Sequence, residues 1–171
     1  MSILSRLFGK RRDDRQSVRA LWHRIVGIAR EPEWYANNGI ADTVGGRFDA
    51  ITLVLSLVLL RMEREPELAQ ESVWLTELFV DDMDGQLRES GIGDLVVGKH
   101  VGRLMGVLGG RLGALRDALA QEGAALAAVI ARNVALADET QADRVAARAA
   151  ELARQLDGFT ARDLLEGEIV R

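Results

Sequence analysis

The chain has 171 residues, 48% of them hydrophobic and 28% charged, with a formal net charge of -4. That length can bury one sizeable core, and the composition is that of a globular chain, which excludes intrinsic disorder. The absence of cysteine excludes disulfides, thiolate nucleophiles and Cys-ligated metals.

Leu, Ala, Arg and Glu dominate and β-branched runs are scarce, so the expected fold class is all-α: a single compact multi-helix domain with a C-terminal helical hairpin extension. Three stretches are expected: a basic, weakly amphipathic segment at 1–16, a helical body at 17–122, and alanine-rich helices at 123–171 packed on the same domain. Residues 1–30 carry eight basic side chains against Asp13 and Asp14, a basic start on an acidic body. Such asymmetry suits phosphate-bearing partners, lipid headgroups or RNA, and a solvated, frayed terminus is the alternative. Ile3, Leu4, Leu7 and Phe8 share one side of a short helix, with Lys10, Arg11 and Arg12 following. This makes Leu4, Leu7, Phe8, Lys10, Arg11 and Arg12 candidate membrane-surface residues. There is no secretory apolar region, and the most apolar run, 51–60, is half the ~20 residues that a bilayer span requires. A soluble or peripheral protein is expected.

A helix is predicted over Ser17–Arg30 with Leu21, Ile25 and Ile28 inward and His23 packed beside Trp22. Pro32 opens a short helix through Tyr35 that Gly39 ends. Asp42 is the expected N-cap of a long helix through Arg64, with Phe48, Ile51, Leu55, Leu59 and Met62 on its inner stripe. Pro66 restarts the chain into a helix ending near Ser90–Gly91, with Leu75, Phe79, Met83 and Leu87 inward and Glu77, Asp81 and Asp84 as an acidic row. Asp94 caps the next helix. From Gly123 a helical hairpin broken around Asp138–Gln141 is expected, then a short helix at Thr160 with Asp163 in a partial capping pattern.

Motifs for catalysis are incomplete. "GDLVVGK" (93–99) matches most of a phosphate-binding loop, but His100 stands where a magnesium-binding hydroxyl is required. "DDMDG" (81–85) has its glycine too early for a calcium loop. His23 and His100 lack metal-ligand spacing, and no serine sits in a nucleophile elbow. No catalytic, metal or cofactor site is expected, and no DNA partner.

"VGKHVGRLMGVLGGRLGAL" (97–115) sets glycines at 98, 102, 106 and 110 along a helical apolar stripe of Val97, Val101, Leu104, Leu108 and Leu112. Each interior glycine costs a helix roughly 0.5–1 kcal/mol. Gly98, Gly102, Gly106 and Gly109 flank the stripe and Lys99 and Arg103 lie beyond, so a close helix contact is expected there. Its occupant is either the internal 51–60 helix or a partner, and the acidic row is placed to neutralise Lys99 and Arg103.

"LWHRIVGIAREPEWYANNGIADTVGGRF" and "LFVDDMDGQLRESGIGDLVVGKHVGRL" together resemble the ubiquinol–cytochrome c chaperone family over about residues 20–120. The resemblance rests on Ala29-Arg30, Pro32, Tyr35, Asp42-Thr43, Gly46-Arg47-Phe48, Asp81-Asp82-Met83-Asp84 and Leu87-Arg88-Glu89. Gly91, Gly93-Asp94, Val97 and Lys99 continue it in order. The chain departs from that pattern at Val54, where a histidine is common, at Leu108-Gly109, in place of an aromatic pair before Gly110-Arg111, and at Leu115, in place of a tyrosine. The resemblance implies a helical chaperone without catalysis that binds newly made cytochrome b during assembly of the cytochrome bc complex. It also implies contact with the ribosome or a second assembly factor, and a cytoplasmic place at the inner face of a bacterial membrane. Arg47, Gly98, Lys99, Gly102, Arg103, Gly106 and Arg111 are the candidate client-binding residues. A generic helical interaction or membrane-surface adaptor module is the competing class.

Overall fold

The computed structural model describes residues 15–89, 94–121 and 123–169, with the side chains of 87–101 outside that description. A 3-10 turn at Arg15–Val18 leads into α1 (Arg19–Ala29), then α2 (Glu33–Ala36) and α3 (Val44–Met62). A second 3-10 turn at Pro66–Leu68 precedes α4 (Ala69–Glu89), α5 (Asp94–Gln121), α6 (Ala124–Asn133), α7 (Ala142–Asp157) and α8 (Ala161–Glu166). The fold is all-α, and the only extended pairing among the described residues is an isolated antiparallel bridge between Ile40 and Leu136.

The periodicity predicts one inner stripe on α3, yet every residue from Ala50 to Leu59 is buried. The sequence there is apolar all round, and such a helix belongs inside a fold rather than on its surface. α1, α5 and α7 each pack on it. Its two polar residues cause no loss: Thr52 Oγ1 donates to the Phe48 carbonyl at 2.8 Å and Ser56 Oγ to the Thr52 carbonyl at 2.7 Å, so both hydroxyls are satisfied within the helix.

Polar ties hold α3 at both ends. Asp49 accepts a hydrogen bond from Arg111 Nη2 of α5 at 2.6 Å and another from the Ala135 amide at 2.9 Å. It thereby joins α3, α5 and the segment after α6. At the other end, Arg61 donates to the carbonyls of Leu156 at 3.2 Å and Phe159 at 2.8 Å, putting a cation on the C-terminal end of α7.

Thr43, rather than Asp42, caps α3. Thr43 holds extended backbone and its hydroxyl accepts the Gly46 amide at 3.1 Å, the geometry of an N-cap oxygen over the third helical residue. Asp42 lies one residue too early and accepts from Arg47 Nε instead, at 2.7 Å. Gly46 must be glycine, because a Cβ there would lie 1.9 Å from the Ala41 carbonyl oxygen. The Ala41 strand is held in that close approach by its amide donating to the Ala135 carbonyl at 2.8 Å, while the Ala137 amide donates to the Gly39 carbonyl at 2.9 Å.

One further expectation is corrected. His23 is exposed while Trp22 turns inward, where its ring meets Phe79 edge-on at 6.1 Å. In the acidic row, Asp81 and Glu77 pair with Arg15 at 2.6 and 3.9 Å, since the 3-10 turn that carries Arg15 lies against α4. α6 and α7 form the expected hairpin, and Thr160 with Asp163 makes a complete capping box on α8.

The glycine helix differs most from expectation. Leu108, Leu115 and Ala118 of α5 are buried, but Cβ atoms built on Gly102, Gly106, Gly109, Gly110 or Gly113 would meet nothing within 4 Å. Among the described residues no internal helix fills that flank. The surroundings of Gly98 and Lys99 lie outside the described residues.

Urea denaturation tests these assignments. Thr43→Ala should lower stability by about 1 kcal/mol, whereas Asp42→Ala should leave the midpoint unchanged; the reverse ranking would restore Asp42 as the cap. Asp49→Ala strips the nearly buried Arg111 of its counter-ion and should cost about 3–5 kcal/mol. Gly102→Ala has open space around it and should stabilise by about 0.5–1 kcal/mol; destabilisation would mean that a close contact does exist.

Candidate functional site

A groove of about 1170 Å³ opens around the start of α3. Ile40, Ile51 and Met83 form its buried depth, and Phe48 packs beside them, 6.2 Å from Phe79. Pro32, Tyr35 and Ala36 supply the α2 side, Leu104 the α5 side, and Ala137 closes it next to the bridge. Val44, Arg30, Asp42, Arg47 and Gln86 are its exposed lip.

Local sequence explains this shape. Pro32 is the residue before α2 and pre-sets its start. Gly39, at φ +96°, turns the chain out of α2 in a conformation that side chains disfavour. The bridge to 135–137 and the Thr43 cap then aim α3 so that its first turn emerges from the core. Val44, the first residue of α3, is 89% exposed. An apolar side chain that far out adds nothing to the core.

Apart from Val44 the lip is polar, and within it Asp42 pairs with Arg47. The Arg47 guanidinium, hydrogen-bonded to Asp42, holds that carboxyl below the usual carboxylate range. The Tyr35 hydroxyl donates to the Ala29 carbonyl at 2.7 Å. Burial pushes the phenol up, and the guanidiniums of Arg47 and Arg30 pull against that, so both cations act on the same ring. Among the described residues no cluster of three or more His, Asp or Glu is arranged to hold a metal ion.

Of the expected client-binding residues, the groove takes Arg47 alone among those whose side chains are described. Gly102 and Gly106 are each two positions from Leu104 along α5. At about 100° per residue they lie on the opposite side of the helix, so they and the groove are separate surfaces. Arg103 is exposed. Arg111 instead turns inward to Asp49, with its side chain 12% exposed. Gly98 and Lys99 fall outside the described surroundings, as do Leu4, Leu7, Phe8, Lys10, Arg11 and Arg12 and the side chains of 93–99. Of the positions where the chain departs from the family pattern, Val54, Leu108 and Leu115 lie in the core and alter packing, while Gly109 is exposed and alters the outer face of α5.

Sequence periodicity places Phe48, Ile51 and Met83 in the core and gives Val44 no role. Their periodicity is that of core residues, and only the exposed valine at a helix start departs from it.

The groove can be set beside known proteins. The family model for the ubiquinol-cytochrome C chaperone matches residues 37–171, which contains every groove residue from Ile40 to Ala137. The matched span takes in α6, α7 and α8, beyond the 20–120 stretch of the sequence resemblance. The crystal structure of the Cbp3 homolog from Brucella abortus is similar with a TM-score of 0.79 and 32% identity, over 98% of this chain and 94% of that one. No curated protein matches the chain. With four-fifths of its length matched by one family model and nearly all of it by one solved fold, the chain belongs to the ubiquinol–cytochrome c chaperone family.

Proposed function

We propose that this chain is a non-enzymatic assembly chaperone that holds an apolar segment of newly made cytochrome b in the α3 groove and so promotes assembly of the ubiquinol–cytochrome c reductase complex. The observation that carries this reading is the groove itself: about 1170 Å³, apolar in depth, with Val44 exposed at its lip. A membrane-protein segment that has not yet entered the bilayer exposes apolar side chains to water. Covering part of that surface recovers roughly 25 cal/mol per Å², which is the work asked of a chaperone. Arg47 marks the polar edge of the site.

The outer face of α5 is a second surface for the same client. Gly102 and Gly106 offer bare backbone to a closely approaching helix, with Arg103 nearby, in the manner of small-residue contacts between membrane helices. No helix among the described residues is long and apolar enough to cross a membrane. The location proposed, on the family's assembly role, is the cytoplasm, peripheral to the inner face of the bacterial membrane. Leu4, Leu7, Phe8, Lys10, Arg11 and Arg12 are the proposed contact to anionic lipid, and the ribosome or a second assembly factor is a further proposed partner.

A photoreactive residue at Val44 in living cells should yield an adduct containing cytochrome b, while the same residue at the exposed Val73 of α4 should not. Equal labelling at both sites, or none at Val44, would reject the groove. Gly102→Leu should fold with a melting temperature no lower than that of the unsubstituted chain, because its surroundings are open and leucine is the better helix former, and should assemble less of the complex. Full assembly by that variant would remove the α5 face from the client surface.

A further inference from the structure

We infer that the groove selects apolar segments that carry an Asp or Glu side chain at one end, and that Asp42 is the built-in competitor such a carboxylate displaces from Arg47. This deepens the reading of the groove as the client site and rests on it.

Three observations lead there. First, among the described lining residues the charged groups are Arg30, Arg47 and Asp42, so the lip is net cationic beside an apolar interior. A client with an apolar body and a terminal carboxylate complements both halves, whereas a basic end would meet like charge.

Second, the Asp42–Arg47 pair is suited to exchange. The two side chains are 60% and 63% exposed, and ion pairs of that exposure are worth little, so separating them is easy. Arg47 uses Nε toward Asp42, and a guanidinium offers a carboxylate two parallel donors in a fixed fork. A client carboxylate arriving with its apolar flank in the groove would meet Arg47 where water is partly excluded, and a charge-assisted hydrogen bond is stronger there than at an open surface.

Third, among the described residues Asp42 has no other structural duty. Thr43 caps α3, and the carboxyl of Asp42 has Arg47 as its hydrogen-bond partner. Arg30 stands at the same lip, and both guanidiniums act on the Tyr35 phenol between α2 and α3. Arg47 thus faces the carboxylate of Asp42, and Arg30 adds a second cation to the lip.

The test uses the full chain and three fluorescent 14-residue peptides with acetylated and amidated ends. Each has the same Leu/Ala/Val core and differs only in a Glu, Gln or Lys after it; binding is read by fluorescence anisotropy. The Glu peptide should bind about 10-fold more tightly than the Gln peptide, a difference one charge-assisted hydrogen bond can supply, and the Lys peptide more weakly than either. Arg47→Gln should erase the Glu preference while leaving the Gln peptide's affinity unchanged. Asp42→Asn should tighten the Glu peptide several-fold and leave the Gln peptide alone. The double variant Asp42→Asn with Arg47→Glu should prefer the Lys peptide. Equal binding of the Glu and Gln peptides, or a preference that survives Arg47→Gln, overturns the inference and leaves the groove reading standing. Failure of all three peptides to bind overturns both.

Discussion

A helix that is buried on all sides constrains everything around it. α3 has no solvent face between Ala50 and Leu59, so α1, α5 and α7 must each present an apolar stripe to it, and the connections must route the chain around it. A polar side chain fixes each end: Asp49 gathers α5 and the 134–138 segment near the start, and Arg61 draws in the end of α7. The groove is a consequence of that design. α3 leaves the core at its first turn, and the residues it carries out, Val44, Arg47 and Phe48, become the wall and lip of the site. Core and site are parts of one rod, which holds the site rigidly.

α5 has two faces with different chemistry. Leu108, Leu115 and Ala118 serve the core, and Leu104 reaches the groove. The opposite face is stripped of side chains at five described glycines, none with a neighbour that a Cβ would touch. Glycine repeated this way lowers helix stability, and no contact among the described residues returns that loss. The proposal that a partner helix approaches this face gives the glycines a role that the fold does not.

Much of the architecture is legible in the sequence because it follows from local rules. Pro32, Pro66, Gly39 and Thr160 mark helix boundaries that the structure places within three residues, and the Asp138–Gln141 break separates α6 from α7. What periodicity does not reveal is which faces meet. α3 reads as one stripe from Phe48 to Met62, though Leu53, Val54, Leu57 and Val58 between those positions are equally apolar and equally buried. The glycine flank reads as a contact because missing side chains permit one; permission is not occupancy. Asp42 and Thr43 are both good caps by residue type, and only backbone geometry chooses between them. Groove residues stayed hidden because Ile51 and Met83 obey the same inward spacing as the core. Arg47 was legible through the family-like Gly46-Arg47-Phe48 string.

Amide hydrogen exchange of the full chain, free and bound to an apolar cytochrome b segment, tests the central claim most directly. The account predicts new protection concentrated at residues 35–48 and 83–86, where α2, the cap of α3 and the end of the described part of α4 border the groove. Protection confined to the outer face of α5, at 102–113, or absent from 35–48, would contradict it.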